Sequence, residues 1–283
     1  MSANGDAWSA NAKAYANLPK DKEGPHIAPS AALLKRMDEA LPISQATAIL
    51  DVGCGPGTTI GMLIEQYHLQ IPPEARLIAS DFSAGMVEQV QERKKREAGN
   101  STWEGLETIV ADAQDLSGIE DASISHVMGS LVYNLLPERR EALAAAYRVL
   151  KPGGVLCTAT WVSVEWMDLM GLAAKIVRPN SGPKFTFPAD WGSTEAIQAE
   201  FEAVGLNNVH VEYANAFMGV DDPSPFINGF IRGNNPGTLF YVGGYSADEL
   251  DRFCEQWLKL VKERHPESPR KLKGVFCVSI GRK

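Results

Sequence analysis

The sequence predicts an α/β protein built on a doubly wound, mostly parallel sheet. Three observations support this fold class: short apolar runs alternate with helical patterns, the early runs each end at a polar residue or a glycine, and aromatic-rich stretches interrupt the alternation late in the chain. Strands that alternate with helices need crossover connections, which give a parallel sheet with both faces covered. A ligand is therefore expected at the carboxyl ends of the strands.

The composition favours a single domain that acts on small molecules. A chain of 283 residues with 45% hydrophobic content can bury one large core. The formal net charge of -8 disfavours a nucleic-acid surface, which needs clustered Lys and Arg. No run approaches the ~20 apolar residues of a membrane span, and the N-terminus lacks a basic segment followed by an apolar one. We therefore expect a cytoplasmic protein without membrane contact.

The cysteines give no sign of a metal centre or a disulfide framework. A structural zinc site or a disulfide-rich scaffold shows closely spaced cysteines, whereas those of this chain are scattered. Free thiols are therefore expected, and no metal is predicted. The four positions are Cys54, Cys157, Cys254 and Cys277.

Residues 1–46 are predicted to form a loosely ordered arm followed by a helix. The arm carries Trp8 and Tyr15 among small residues, and these rings could either anchor the arm or form a lid over a bound cofactor. Ser30 is predicted to cap the helix, whose apolar positions keep a helical spacing until Pro42.

Residues 47–160 are predicted to form the ligand-binding core. Helical patterns follow the first and second strands, and a helix from Glu138 to Leu150 is broken by the turn Lys151-Pro-Gly-Gly154 before the fifth strand. The five predicted strands are Ala48–Val52, Arg76–Ser80, Leu106–Ala111, Ile124–Met128 and Val155–Thr160.

The rest of the chain is predicted to cover the site and to complete the sheet. Residues 161–246 hold aromatic-rich insertions around a sixth strand, Val209–Tyr213, and are expected to cap a substrate. Residues 247–283 supply a last helix from Ala247 to about Arg264 and a last strand, Gly274–Ile280. All of these segments are assigned to one domain, residues 1–283.

The motif Asp51-x-Gly53-x-Gly55-x-Gly57 lies between the first strand and its helix. A dinucleotide fingerprint needs Gly-x-Gly-x-x-Gly, but position 58 is threonine. A phosphate-binding loop needs Gly-Lys before Ser or Thr, and no lysine lies between Asp51 and Gly61. The remaining interpretation is a turn whose glycines let the backbone approach a nucleoside ligand with a cationic head.

This motif resembles the first motif of the class I S-adenosylmethionine-dependent methyltransferases. Three further motifs follow in the order of that family: Asp81-Phe-Ser-Ala-Gly-Met86 after the second strand, Asp112-Ala113 after the third, and Arg148-Val-Leu-Lys-Pro-Gly-Gly-Val-Leu156 before the fifth. The resemblance implies S-adenosyl-L-methionine as cofactor and a Rossmann-like, seven-stranded, mostly parallel sheet with an antiparallel last strand. Asp81 would hold the ribose hydroxyls, and Asp112 with Ala113 would hold the adenine. The predicted cofactor-binding set is Tyr15, Asp51, Gly53, Gly55, Gly57, Asp81, Phe82, Met86, Asp112, Ala113 and Ser130.

The acceptor is expected to be a small apolar or aromatic metabolite. Tyr133 and Asn134, after the fourth strand, and Trp161 and Trp166, near the start of the aromatic insertions, are predicted to bind it. The five histidines are scattered, so no catalytic base is assigned. The run Thr158-Ala-Thr-Trp161, Trp166 and the end of the last strand resemble fungal natural-product methyltransferases, including thiomethyltransferases. A thiol acceptor agrees with the lack of a base, since a thiol with a pKa of about 8.5 needs little help to ionise.

Two alternatives to methyl transfer onto sulfur stay open at this stage. The chain could instead methylate an oxygen or a nitrogen of a secondary metabolite. It could also be a regulatory protein that binds S-adenosylmethionine without turnover. The sequence leaves the oligomeric state undetermined.

Overall fold

The computed structural model describes residues 5–16, 25–180, 186–188, 191–233 and 235–283. A seven-stranded sheet forms its centre, with strands β1 Ala48–Val52, β2 Arg76–Asp81, β3 Glu107–Val110, β4 Ile124–Ser130, β5 Leu150–Val164, β6 Asn207–Gly219 and β7 Lys271–Arg282. Their order across the sheet is β3-β2-β1-β4-β5-β7-β6. Strands β1 to β5 pair in parallel, and β7 is antiparallel to both of its neighbours. The predicted fold class is confirmed.

Helices cover both faces of this sheet. They are α1 Gly5–Ala16, α2 Ile27–Ala40, α3 Thr58–Tyr67, α4 Ala84–Arg96, α5 Ser101–Gly105, α6 Arg139–Val149, α7 Glu165–Val177, α8 Thr194–Ala203, α9 Ser224–Phe226, α10 Pro236–Val242 and α11 Ala247–Arg264. Apolar side chains of α2, α3, α7 and α11 form the core on one face. Those of α6 and α8 form the core on the other. Within the described residues, no helix is both long and apolar enough to cross a bilayer.

The N-terminal arm differs from the prediction, because it contains a helix that packs on the protein. Helix α1 lies against α4, where the Ser9 hydroxyl is 2.9 Å from the Ser83 hydroxyl and accepts a hydrogen bond from the Gly85 N–H at 3.1 Å. A Cβ atom at Gly85 would lie only 2.7 Å from Ser9 Cα. The small residue in α4 therefore allows α1 to dock, and this close approach joins positions 76 residues apart.

Ser30 also differs from the prediction, because it does not cap α2. The helix begins at Ile27 with His26 as the residue before it, and Ser30 lies inside the first turns. Its side chain is buried and bonds to hydroxyl groups of other elements rather than to its own helix. The serine thus joins α2 to α3, through Thr59, and to the end of β4, through Ser130.

The antiparallel part of the sheet is more extensive than the predicted short runs. Strand β5 continues beyond Thr160 to Val164, and β6 and β7 pair over most of their length. The last helix has the predicted bounds and begins with a capping box formed by Ser246 and Glu249. For β5, β6 and β7 the predicted strands are too short, because the long β6–β7 pairing joins segments that are distant in sequence.

Candidate functional site

The glycine turn after β1 forms part of the wall of a cavity. Gly53 and Gly55 both have positive φ angles, 63° and 53°, which an L side chain adopts at a cost. A Cβ atom at Gly53 would lie 2.4 Å from Val132 Cγ2, whereas one at Gly55 would meet no atom within 4 Å. Gly53 therefore lets the loop after β4 pack on the turn, and Gly55 leaves open space beside the backbone.

Asp51 supports this turn from behind. Its carboxylate accepts a hydrogen bond from the Ile60 N–H at 3.1 Å and so joins the end of β1 to the first turn of α3. Burial raises the pKa of Asp51 from 3.8 to about 8, opposed by the bond from Ile60. Gly57 precedes α3 in a left-handed conformation. Neither residue lies on the cavity wall, unlike most of the predicted cofactor set.

Asp81 joins the glycine turn to the loop after β2. One carboxylate oxygen accepts from the Gly55 N–H at 2.9 Å, and the other accepts from the Ser83 N–H at 2.9 Å. The residue is 6% exposed, and burial raises the pKa of its carboxyl group. Each oxygen retains lone-pair capacity towards the cavity, since an ionised carboxylate offers about four acceptor sites.

The cavity has a volume of about 210 Å³ and runs along the carboxyl ends of the parallel strands. Asp112 lies on its wall, where its carboxylate accepts from the backbone N–H and the side-chain amide of Gln114 at 2.9 and 3.2 Å. The structure brings nine of the predicted cofactor residues to this wall: Tyr15, Gly53, Gly55, Asp81, Phe82, Met86, Asp112, Ala113 and Ser130. Their role in binding remains a prediction.

A cluster of three hydroxyl groups, Ser30, Thr59 and Ser130, lies on the same wall. The Ser30 oxygen is 2.9 Å from that of Thr59 and 3.2 Å from that of Ser130. Sequence reasoning missed Ser30 and Thr59 as site residues. No local signal could have found them, because the cluster joins residues 29 and 100 positions apart.

Tyr15 and His26 meet on the cavity wall. The Tyr15 hydroxyl is 3.1 Å from His26 Nε2, and the ring centroids are 5.2 Å apart. Burial lowers the pKa of His26 to about 4 and raises that of Tyr15, to which the charge of Asp81 also contributes. His26 had been counted among scattered histidines, so its position in the cavity is a finding of the tertiary structure. Trp8 completes this side, with its ring 5.9 Å from that of Tyr15.

Cys54 lies in the glycine turn and also contacts the cavity. Its thiol donates to the Gly55 carbonyl at 3.4 Å, and burial raises the pKa of the thiol well above its usual value. A buried thiol of this kind stays protonated and is a poor nucleophile. Within the described residues, no cluster of three His, Cys, Asp or Glu side chains could hold a metal ion.

The structure does not place the four predicted acceptor residues on the cavity wall. Tyr133 is buried over Gly129 and stacks on Trp191, with ring centroids 5.9 Å apart. Asn134 is 3% exposed beside it.

The two tryptophans among these four residues belong to the core. Trp161 and Trp166 pack edge to face at 5.4 Å, over the space left by Gly274. They lie in the core because a large indole gains most by filling space left free at a glycine. The apolar part of the cavity wall instead includes residues of the loop after β4, namely Leu131, Val132, Leu135, Leu136 and Pro137.

Comparison with known proteins agrees with this geometry. The family model described as a methyltransferase domain matches residues 49–154. The chain is 29% identical over 277 residues to the methyltransferase ucsB of an Acremonium species, covering 97% of this chain and 94% of that protein.

Solved structures show the same fold at low sequence identity. The YcgJ protein of Bacillus subtilis matches with a TM-score of 0.58 at 16% identity, covering 91% of this chain and 99% of that one. The phosphoethanolamine N-methyltransferase 2 of Haemonchus contortus, in complex with S-adenosyl-L-methionine, matches with a TM-score of 0.55 at 16% identity, covering 99% of this chain and 57% of that one.

Proposed function

Because this chain is a class I S-adenosylmethionine-dependent methyltransferase, we propose that it methylates an oxygen or sulfur atom of a small apolar metabolite of fungal natural-product type. The observation that carries the proposal is one cavity whose wall combines the carboxylates Asp81 and Asp112 with a set of apolar side chains. The carboxylates suit a nucleoside, and the apolar side chains suit an apolar acceptor. Similarity to methyltransferases favours an enzyme over a regulatory binding protein.

The residues on the wall fit the cofactor. The open space beside Gly55 admits a ligand close to the backbone, and the buried carboxylate of Asp81 can accept hydrogen bonds from ribose hydroxyls. Phe82 and Met86 offer apolar surface to an adenine ring, and Asp112 can accept from its amino group. The hydroxyl cluster of Ser30, Thr59 and Ser130 can bind the amino-acid end.

The chemistry requires positioning more than proton transfer. S-adenosylmethionine, when bound, supplies a methyl group already activated by a positively charged sulfur. The protein must hold the acceptor in line with that methyl group and exclude water. The apolar loop after β4 and helix α1, with Trp8, cover the cavity and can do both.

The proposal assigns the cover of the site to residues 1–46 rather than 161–246. Of the described residues in 161–246, none lies on the cavity wall. Residues 47–160 supply the cofactor-binding core, and residues 247–283 complete the sheet. We propose that 161–246 acts through packing, since its indoles fill the core beneath β7.

Calorimetry with S-adenosylhomocysteine tests the cofactor assignment. The variant Asp81→Asn should bind this ligand at least about tenfold more weakly, because hydrogen bonds to a charged acceptor are worth about 1.5–3 kcal/mol. The control Asp115→Asn changes an exposed carboxylate whose described bond is to the Ser117 N–H, and it should bind normally. Equal affinities for Asp81→Asn and the wild type would contradict the ribose assignment.

A further inference from the structure

We propose that Tyr15 and His26 form a proton-accepting pair that deprotonates a hydroxyl acceptor, so that the enzyme methylates oxygen. This inference rests on the proposed function and deepens it. The pair lies on the cavity wall, where the hydroxyl group of Tyr15, in α1, bonds to the imidazole of His26, the residue before α2. A thiol acceptor was favoured because no base could be assigned from the sequence. A base formed by Tyr15 and His26 removes that reason.

The surroundings of the pair suit this role. Both residues are half-buried, and the Tyr15 hydroxyl is 3.1 Å from His26 Nε2, a distance at which a proton can pass between them. The lowered pKa of His26 leaves the imidazole uncharged at neutral pH, with one nitrogen free to accept. Tyr15 stays protonated, since burial and the charge of Asp81 raise its pKa.

The other titratable groups on the wall carry no positive charge. They are the carboxylates Asp81 and Asp112 and the thiol of Cys54, and no Lys or Arg lies among the described residues of the wall. No cation among these residues therefore opposes a positive charge on His26.

The proposed transfer balances as follows. The acceptor hydroxyl gives its proton to the Tyr15 oxygen while the Tyr15 proton moves to His26 Nε2, and the acceptor oxygen forms a bond to the methyl carbon as the carbon–sulfur bond breaks. The electron pair of that bond stays on sulfur, which becomes a neutral thioether. His26 gains a positive charge in the reaction in which the sulfonium loses one, so the net charge of the cavity does not change. Solvent removes the proton from His26 before the next turnover.

The competing interpretation is that the pair only holds the cofactor or anchors α1. Two model acceptors separate these roles: 4-methylphenol, whose hydroxyl stays protonated at neutral pH and must lose a proton, and 4-methylbenzenethiol, whose thiol ionises readily in solution. Methyl transfer from S-adenosylmethionine to each is measured for Tyr15→Phe and His26→Asn. The matched controls Tyr67→Phe and His68→Asn change residues of α3 and its end that lie off the cavity wall.

The expected result is a loss confined to the oxygen acceptor. Both variants should lose at least about 100-fold in kcat with 4-methylphenol, the usual contribution of a general base. The loss of kcat with 4-methylbenzenethiol should be at least about tenfold smaller, because this acceptor needs no base, whereas weaker cofactor binding would lower both rates alike. Equal losses with both acceptors would overturn the proposal.

A second measurement needs no turnover. Nitrogen-15 NMR of the imidazole should show the proton of neutral His26 on Nδ1 and an unprotonated Nε2, whose resonance moves in Tyr15→Phe but not in Tyr67→Phe. A proton on Nε2 would overturn the relay. A wild-type enzyme that binds S-adenosylhomocysteine but does not methylate 4-methylphenol would also overturn it, while leaving the proposed function in place.

Discussion

The parallel and antiparallel halves of the sheet use their buried residues in different ways. In the parallel half, β1 to β4, polar residues at strand ends and glycines in the turns form a cavity wall. In the antiparallel half, β5 to β7, aromatic side chains fill the core and stay off that wall. Carboxyl ends of parallel strands meet at one edge and leave a crevice, whereas long antiparallel pairing brings side chains together over a continuous face. Aromatic richness alone therefore did not identify the residues of the cavity wall.

At a single pH, the largest effect should come from removing an aromatic side chain that packs against the antiparallel half. Trp166 is 2% exposed and packs on Trp161, so Trp166→Ala should lower the free energy of unfolding by about 3–5 kcal/mol, as usual for such a truncation. Urea unfolding measures it. Trp8→Ala, at the cavity edge, is the matched variant and should change stability little but weaken S-adenosylhomocysteine binding. A loss of S-adenosylhomocysteine binding in Trp166→Ala and a large loss of stability in Trp8→Ala would contradict the comparison between the halves.

A pH-dependent effect is expected for Asp51 in the parallel half. Its folded-state pKa, about 8, lies above the ordinary value of 3.8, so its contribution to stability is present at low pH and is lost as pH rises from about 4 to 8. Relative to Asp51→Asn, the wild type should therefore lose up to about 1.4 kcal/mol per pH unit across that range. Urea unfolding at several pH values measures the difference. A stability difference between the wild type and Asp51→Asn that stays constant with pH would contradict this prediction. The exposed control is Asp115→Asn.

The smallest effect concerns the docking of α1 on the parallel half. The variant Gly85→Ala places a Cβ atom 2.7 Å from Ser9 Cα, so α1 should shift and S-adenosylhomocysteine affinity should fall by about tenfold, or about 1.4 kcal/mol. Overall stability should hold, because alanine favours a helix by up to about 1 kcal/mol over glycine. Calorimetry measures the affinity. The control Gly105→Ala meets no atom within 4 Å, and equal affinities for both variants would show that α1 does not cover the site.

The fold and the position of Asp81 at a strand end could be predicted because their signals are local. Asp81 follows β2 directly, and its bond to Ser83 spans two residues. The contact between Tyr15 and His26 could not be predicted in the same way. Tyr15 belongs to α1, which docks on α4 where Ser9 meets Gly85, positions that are distant in sequence.

The sequence by itself determined the order of strands and helices, the glycine turn and the carboxylates that follow β2 and β3. Periodicity and turn chemistry act over a few residues, so they can be recognised without knowing what packs where. Only the tertiary structure decided that Trp161 and Trp166 belong to the core and that His26, Ser30 and Thr59 belong to the cavity. Burial is decided by which surfaces meet, and that depends on the whole chain at once.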